Sequence, residues 1–478
     1  MTHRSHSTLE LEPEHMRALG YRVVDMLVEH YTSLPDKPVT GHASRQTMEA
    51  LLHEPPPELP ADPEHVLAQL ERDVFPNNMY GNHPRFFAFI PGPSSYIGAL
   101  GDALASGFNV INALWKESSA ATQIELTTID WLRELCGLPE SAGGLFVSGG
   151  SVANLTALAA ARQTRLGHEF HNAVVYCSEQ THASLSKGLR ILGFAPERVI
   201  RIEVDQAFRL SMDALTRQVV RDKAESLRPF CVVANAGTTN TGAIDPLPEI
   251  AALCKQHGMW FHIDGAYGAA AVLTAEGRRA LSGLELADSV AIDPHKWLFQ
   301  PFEIGCVIVR DARLLPQAFG AEHEYMQDAA VNDGEREINF CDYGIQLSRG
   351  FRALKLWMSL KVFGLRAFRE AIERGMALAE TAEQLLAERS CFEIVTPAQL
   401  GIVSFRYLPP AGSELDADSV NAGIVEACID DGYAMVSSTI LRSQTVLRLC
   451  TINPRTTGEE LRKTVELIAR CGDELALS

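Results

Sequence analysis

The protein is a chain of 478 residues in which 42 lysines and arginines are outnumbered by 60 aspartates and glutamates, giving a formal net charge of −18. A negative surface repels phosphate backbones and anionic membranes, so nucleic acid is not an expected partner. The 46% hydrophobic and 21% charged content is typical of a folded globular protein with a large core. These values exclude a largely disordered chain and a small disulfide scaffold.

The cysteine spacing and the lengths of the apolar runs indicate the cellular compartment of the protein. Ten cysteines are spread singly from Cys136 to Cys471 without a Cys-x-x-Cys pair, which favours a reducing compartment and indicates no metal or redox motif. The first 14 residues lack the apolar centre of a secretory signal, and no apolar run reaches the ~18–20 residues of a transmembrane helix. We therefore expect a cytoplasmic protein without a membrane partner.

Residues 1–75 have the pattern of a helical arm. Apolar residues at helical spacing predict a helix over residues 14–31. A proline-rich segment from Pro35 to Pro60 follows and cannot form a continuous helix. Such an arm needs another surface to cover its apolar side chains, and a second copy of the chain offers one. The arm therefore predicts a homodimer.

Residues 76–375 are predicted to form a large α/β domain. From about Leu145, short apolar runs alternate with helical stretches, which is typical of a mostly parallel sheet covered on both faces. The last predicted strand follows its predecessor too closely for a helical crossover and is expected to be antiparallel. The predicted strands are residues 145–147, 173–177, 198–202, 231–234, 260–264, 289–292 and 305–310.

Residues 376–478 are predicted to form a smaller α+β domain. A long helical region from Phe351 to about Glu388 leads into it. Strands are predicted near residues 392–395, 402–407 and 445–450, and helices near residues 419–430 and 457–470.

Chemically active side chains follow five of the predicted strands. Ligands of an open α/β sheet bind outside the carboxyl ends of its strands, so these segments are expected to meet in one crevice. They are residues 148–151, 178–182, 235–239, 264–267 and 293–297. Each has an ordinary alternative: Ser-Gly-Gly-Ser can be a turn with a serine cap, His182 a structural residue, and Asp264 a turn cap.

Lys296 has the least ordinary position of this set. A lysine beside Trp297 in a buried crevice is costly unless it reacts or pairs. A lysine that can form a Schiff base, a carboxylate that can hold a pyridine nitrogen protonated, and helix amides that can bind phosphate together match pyridoxal 5′-phosphate (PLP).

Six segments carry a family resemblance. They are HPRFFAF at 83–89, SGGSVANL at 148–155, GTT at 237–239, HIDGAY at 262–267, DPHKWL at 293–298 and SRGFRALKLW at 348–357. In these segments the chain resembles the group II PLP-dependent amino-acid decarboxylases, which include the aromatic-L-amino-acid, glutamate and cysteine-sulfinate decarboxylases. The resemblance covers the chain from about Met16 to the C-terminus. The resemblance implies the aspartate-aminotransferase-like fold (fold type I) and a homodimer.

The resemblance also implies roles for individual residues. Lys296 would form the Schiff base, Asp264 would pair with the pyridinium nitrogen, and His182 would stack on the ring. The remaining cofactor contacts implied are Gly150, Ser151 and His295 for the phosphate, Ala266 for the opposite ring face, Thr239 for the ring hydroxyl, and Asp245 as a further carboxylate.

Two positions depart from the family pattern. Asp293 stands where aromatic decarboxylases commonly have asparagine, and a carboxylate there does not favour a phosphate. In the loop of residues 325–342, counting without gaps places Phe340 where the family has a proton-donating tyrosine. Relatives with phenylalanine there can be aldehyde synthases, which couple decarboxylation to oxidative deamination. The alternative is that Phe340 packs and that Tyr343 or His323 donates the proton.

The predicted substrate pocket, taken from the resemblance, is Phe89, Ile90, Ile111, Ala113 and Trp115. Its apolar character favours decarboxylation of an aromatic L-amino acid to an amine and CO₂. An acidic or other substrate, such as glutamate, cysteine sulfinate or diaminobutyrate, stays an alternative, because the sequence does not place Arg442 or Arg448. A transaminase or lyase of the same fold and an inactive cofactor-binding protein are further alternatives. The intact Lys296, Asp264 and His182 argue against the last.

Overall fold

The computed structural model of the protein describes residues 9–320 and 337–477. Its larger unit is built on a seven-stranded sheet in the order β1-β7-β6-β5-β4-β2-β3. The strands are β1 (Gly143–Val147), β2 (Ala173–Ser178), β3 (Val199–Ile202), β4 (Arg228–Asn235), β5 (Trp260–Asp264), β6 (Ser289–Ile292) and β7 (Gly305–Val309). All seven coincide with strands predicted from the sequence.

The pairing of the strands explains why so many are apolar throughout. The strands β3, β2, β4, β5 and β6 pair in parallel, and β2, β5 and β6 are buried along their whole length, as expected for a sheet covered on both faces. The strand β7 runs antiparallel to both β6 and β1, which confirms the orientation predicted for it. The carboxyl ends of the parallel strands therefore share one edge.

Helices cover this sheet and connect its strands. The helix α6 packs against β5, β6 and β7, and α8 and α9 pack against β4. The helices of this unit are α4 (Tyr96–Gly107), α5 (Trp115–Leu135), α6 (Gly150–Arg165), α7 (Ala183–Ile191), α8 (Met212–Ala224), α9 (Leu247–His257), α10 (Ala275–Ala280) and α11 (Leu314–Phe319).

A smaller antiparallel sheet forms the C-terminal unit, in the order β10-β11-β9-β8. Its elements are β8 (Phe392–Gln399), β9 (Ile402–Tyr407), α13 (Ala417–Asp431), β10 (Ser437–Leu441), β11 (Gln444–Cys450) and α14 (Gly458–Leu477). The strand β10 was not predicted. Its hairpin turn is Arg442-Ser443, with φ of 49° and 63°, so the turn lacks the glycine or asparagine that would signal it.

The helix α12 (Ala353–Ala387) joins the two units. It changes direction at Gly364, where φ is 75°, and it packs on α4 and α5 before that point and on β8 and α14 after it. The domain boundary expected after residue 375 lies within this helix.

The N-terminal arm consists of α1 (Pro13–Ser33), α2 (Arg45–Leu52) and α3 (Pro63–Gln69), so the predicted first helix is present. Every residue of α1 keeps at least part of its surface exposed, although the helix carries many apolar side chains. In the part of the chain that the structure describes, no helix is both long and apolar enough to cross a membrane.

Candidate active site

A cavity of about 380 Å³ opens where the carboxyl ends of the parallel strands meet the first turn of α6. The segments that the sequence singled out after five strands converge there. The lining residues include Ser148, Gly149, Gly150, Ser151, Asn154, His182, Asn235, Thr239, Asp264, Ala266, Asp293, His295 and Lys296. Eight of the nine residues predicted to contact the cofactor are in this wall; the ninth, Asp245, lies behind it.

Lys296 is held by a carboxylate at the cavity. Its Nζ lies 2.9 Å from Oδ2 of Asp293, and His295 Nε2 lies 3.5 Å from the same oxygen. Burial acts to lower the pKa of Lys296, but the charges of Asp293 and Asp264 outweigh it, so the pKa is raised. Burial, together with the positive charge of Lys296, lowers the pKa of His295 against the opposing effect of Asp293.

The Asp293 carboxylate lies at the cavity, beside the start of α6. The carboxylate is 3% exposed and lies between a lysine and a histidine, so its charge is compensated from within the protein. Its Oδ1 has no hydrogen-bond partner among residues 9–320 and 337–477, which leaves acceptor capacity beside the cavity.

The Asp264 carboxylate lies at the end of β5 and is 8% exposed. Its Oδ1 accepts a hydrogen bond from the Ala266 amide at 3.2 Å, and its Oδ2 accepts one from Nδ2 of Asn154 at 3.0 Å. Both donors come from the protein, so the carboxylate is oriented before any ligand binds.

The first turn of α6 approaches the cavity closely because it begins with glycine. A Cβ at Gly150 would lie 2.8 Å from Oδ2 of Asp293 and 2.9 Å from Cβ of Ala266, so a side chain does not fit there. The helix has no side-chain N-cap, and the amides of Gly150 and Ser151 have no partner within the helix, whereas the Val152 amide donates to the Gly149 carbonyl. These amides, with the exposed Ser151, form a cradle suited to an anion.

His182 and Thr239 line other parts of the wall. His182 precedes α7, and its Nδ1 accepts a hydrogen bond from the Ser184 amide at 3.3 Å, while the side chain stays exposed. Thr239 follows Gly237, whose φ of +95° is a left-handed conformation that favours glycine.

Asp245 does not line the cavity and is instead buried behind it. Its carboxylate accepts hydrogen bonds from the amides of Leu210 and Asn235, and from Nδ2 of Asn235 at 2.8 Å. Burial raises the pKa of Asp245 to about 6. A role near the cofactor would therefore be exerted through Asn235, which does line the cavity.

The structure does not bring the five predicted substrate-pocket residues into this cavity wall. Phe89 and Ile111 are 57% and 48% exposed, and Ile90 and Trp115 are partly exposed. Ala113 is buried, and its carbonyl accepts a hydrogen bond from the Cys341 amide. Within one chain, none of the five residues therefore lines the cavity.

Phe340 is fully buried in the core of the large unit. The Arg349 guanidinium lies 4.8 Å from its ring centre, and the Tyr343 ring meets its edge. Tyr343 is half-buried and is not part of the cavity wall; burial raises its pKa. His323 and residues 325–336 of the predicted loop lie outside the described residues.

The structure also places the two arginines that the sequence left open. Arg442 lies over the Phe208 ring and donates to the carbonyls of Asp205 and Gln206, away from the cavity. Arg448 is 2% exposed and donates from Nη1 to the carbonyl of Phe89 at 2.7 Å. Its Nε and Nη2 have no hydrogen-bond partner within the described chain.

Sequence reasoning assigned no role to Asn154, Asn235 or His262. The spacing of Asn154 and of His262 from residues that were predicted to contact the cofactor could have indicated both of them. Asn154 follows Gly150 by four residues and so shares its helix face, and His262 precedes Asp264 by two and so shares its strand face.

These features fit PLP. The cavity combines an amine at Lys296, an oriented carboxylate at Asp264 and an uncapped helix start whose glycine leaves room for a close approach. An aldehyde, a pyridine nitrogen and a phosphate require these three groups.

Comparison with known proteins agrees with this geometry. Residues 46–408 match the family model of the pyridoxal-dependent decarboxylase conserved domain. The chain is 48% identical to an aromatic-L-amino-acid decarboxylase of Bacillus atrophaeus over 98% of both chains, and 32% identical to a phenylacetaldehyde synthase of Arabidopsis thaliana over 96% of both. It superposes on an Oryza sativa TDC solved with PLP and tryptamine with a TM-score of 0.91 and 29% identity, covering 98% of this chain and 100% of that one.

The predicted family, fold and cofactor are thereby confirmed. The chain belongs to the pyridoxal-dependent decarboxylases and is a PLP-dependent carboxy-lyase of fold type I.

Proposed function

We propose that this protein decarboxylates an aromatic L-amino acid to the corresponding amine and CO₂. The observation that carries the proposal is the convergence of Lys296, Asp264 and His182 on one cavity. The aromatic substrate class is supported by the relative from Bacillus atrophaeus, which matches the chain over nearly its whole length.

Bound PLP supplies an electron sink for the electrons of the bond between Cα and the carboxylate. Lys296 would hold the cofactor through its Nζ until the amino group of the substrate takes its place. Asp264 would keep the proton on the pyridine nitrogen, and the His182 ring would lie against the cofactor. The amides at the start of α6 would hold the phosphate, with His295 assisting them.

Arg448 is a candidate for recognising the substrate's carboxylate. It is a buried guanidinium with two unpartnered nitrogens, and burial lowers its pKa. Guanidinium groups bind carboxylates through paired hydrogen bonds, so spare donors near the cavity suit this task. Burial raises the pKa of the Cys450 thiol, and the charges of Arg448 and Lys296 both act to lower it, so both side chains lie near this thiol.

We further propose that the active form is a homodimer in the cytoplasm. The exposed Phe89 and Ile111 would then complete the partner's substrate pocket, which accounts for their position outside the cavity of their own chain. None of the ten cysteines, all within the described residues, forms a disulfide, which supports a reducing compartment.

The test is a product assay with the PLP-loaded protein over a panel of aromatic and acidic L-amino acids. We expect amine and CO₂ in equal amounts from at least one aromatic substrate, and none from the Lys296→Ala variant, whose folding is checked by its melting temperature. Turnover confined to glutamate or cysteine sulfinate would contradict the aromatic proposal. Wild-type turnover by Lys296→Ala would overturn the site.

Phe340 keeps an aldehyde synthase as the second candidate, because it stands at the position predicted for a proton-donating tyrosine. We favour plain decarboxylation, since Phe340 is packed against Arg349, and Tyr343, whose hydroxyl can donate a proton, lies beside Phe340. Tyr343→Phe should then lower amine formation and allow dissolved O₂ to act as the oxidant, so that aldehyde, ammonia and hydrogen peroxide are formed with consumption of O₂ and water. Stoichiometric peroxide from the unmodified enzyme, reduced by Phe340→Tyr, would instead establish the aldehyde synthase.

A further inference from the structure

A continuous row of buried side chains extends from Asp264 away from the cavity. Asn154 Nδ2 lies 3.0 Å from Asp264 Oδ2, and Asn154 Oδ1 lies 2.8 Å from His262 Nε2. His262 Nδ1 lies 2.8 Å from Ser289 Oγ, which in turn accepts from Trp260 Nε1 at 2.8 Å. The five side chains come from α6, β5 and β6, and each is at most 8% exposed.

The direction of every hydrogen bond in this row follows from its two ends. The Asp264 carboxylate accepts, so the Asn154 amide nitrogen faces it and the amide oxygen faces His262. His262 must therefore carry its hydrogen on Nε2. The Trp260 indole can only donate, so the Ser289 hydroxyl accepts from it and is free to donate its own hydrogen to His262 Nδ1.

His262 is neutral in this arrangement, and burial lowers its pKa to about 4, against the opposing influence of the Asp264 charge. The groups that face it are Asn154, Ser289 and, two residues along the strand, Asp264. A neutral ring leaves one donor for Asn154 and one acceptor for Ser289, so all the dipoles in the row point their positive ends towards Asp264.

We infer that Asn154 and His262 are positioning residues, which fix the Asp264 carboxylate in one orientation and favour its charged form opposite the pyridine nitrogen of PLP. The inference rests on the proposed role of Asp264. Because the Asn154 amide cannot pass a proton along the row, the row acts through orientation and electrostatics and does not shuttle protons. Within residues 9–320 and 337–477, losing the Asn154 donor would leave the Asp264 carboxylate with only the Ala266 amide as a hydrogen-bond donor.

The first experiment compares the affinity for PLP of the cofactor-free wild type and variants. A hydrogen bond to a charged group contributes about 1.5–3 kcal/mol, so Asn154→Leu should weaken PLP binding roughly 10- to 100-fold. Asn154→Asp keeps the shape and places a second carboxylate against Asp264, so it should weaken binding at least as much even if the leucine variant folds poorly. An affinity within twofold of wild type in folded Asn154→Asp would overturn the inference.

The second experiment separates positioning from packing through two substitutions of one residue. His262→Gln keeps an N–H donor for Asn154, whereas His262→Leu fills the space without one. We expect the glutamine variant to retain the wild-type PLP affinity and the wild-type pH at which the bound cofactor's absorbance changes. The leucine variant should bind PLP at least tenfold more weakly, with that pH shifted by about one unit. Equal behaviour of the two variants would contradict the inference.

Tyr176→Phe is the matched control. It removes a buried hydrogen bond, to Asp222 at 2.7 Å, from β2 of the same sheet but outside the cavity. We expect it to lower the melting temperature without changing PLP affinity. Asp264→Asn tests the underlying assignment separately: if it binds PLP as tightly as wild type, the proposed role of Asp264 fails. If Asp264→Asn is defective while the Asn154 and His262 variants bind PLP normally, only the inference about Asn154 and His262 is overturned.

Discussion

At the scale of single residues, His262 and Asp245 show how burial changes acid–base behaviour in opposite directions. Burial lowers the pKa of His262 to about 4 and raises that of Asp245 to about 6. The unfolded chain protonates its histidines below about pH 6.5, and the folded His262 stays neutral. His262 therefore contributes stability that is present above pH 6.5 and lost as the pH falls towards 4, whereas the Asp245 contribution grows as the pH falls through 6.

The first prediction isolates the contribution of His262. In the wild type, the contribution of His262 should lower the free energy of unfolding by about 2 kcal/mol when the pH falls from 7 to 5. His262→Gln has no titrating group there and leaves Asp245 unchanged, so it should lose correspondingly less stability over that range. Denaturant unfolding at both pH values measures the difference. Parallel losses in the two proteins would contradict the assignment of a neutral, buried His262.

At the scale of elements, the start of α6 is the proposed cradle for the cofactor's phosphate. Gly150 lies so close to Asp293 and Ala266 that an added Cβ displaces the first turn, whereas Gly188 within α7 would place its Cβ at ordinary contact distances of 3.8 Å or more. The two helical glycines therefore have different tolerance for the same change.

The second prediction compares these glycines directly. Gly150→Ala should weaken PLP binding at least tenfold, since the crowded helix start must shift by several tenths of an ångström. Gly188→Ala should keep the wild-type affinity and, because alanine favours helix by about 1 kcal/mol over glycine, should not lower the melting temperature. Titration of the cofactor-free proteins with PLP measures both. Unimpaired binding by Gly150→Ala would show that α6 does not form the phosphate cradle.

At the scale of the whole molecule, the N-terminal arm leaves apolar surface uncovered. Tyr21, Val24 and Val28 form an exposed stripe on α1, and a groove of about 870 Å³ lies between α1 and the segment that follows α3. A stripe of this kind on an otherwise ordered helix is typical of an interface. This exposure supports the proposed dimer, in which each arm packs on the partner chain.

The third prediction concerns the mass in solution. The wild type should have twice the mass of one chain by light scattering at micromolar concentration. The double substitution Val24→Glu and Val28→Glu should weaken the dimer and lower the activity with it, whereas Lys255→Glu, an exposed change on α9 that also adds negative charge, should not. A fully active wild type with the mass of one chain would contradict the proposal.

The sequence by itself determined the family, the fold type and most of the residues that line the cavity. It could do so because Asp264 ends a strand and His182 and Lys296 each lie four residues after one, and strand ends are readable from apolar runs and the residues that end them. The same local signals gave the antiparallel direction of β7. They did not give β10, because its turn has no glycine or asparagine.

Only the tertiary structure decided which distant residues meet. The Asn154–Asp264 hydrogen bond joins positions 110 residues apart and depends on how α6 lies across β5. Packing between elements likewise buries Phe340 against Arg349. It also places Asp245 behind Asn235 and outside the cavity wall. Periodicity along a chain identifies the face on which a side chain lies, but not the side chain that packs against it, because that depends on the docking of whole elements.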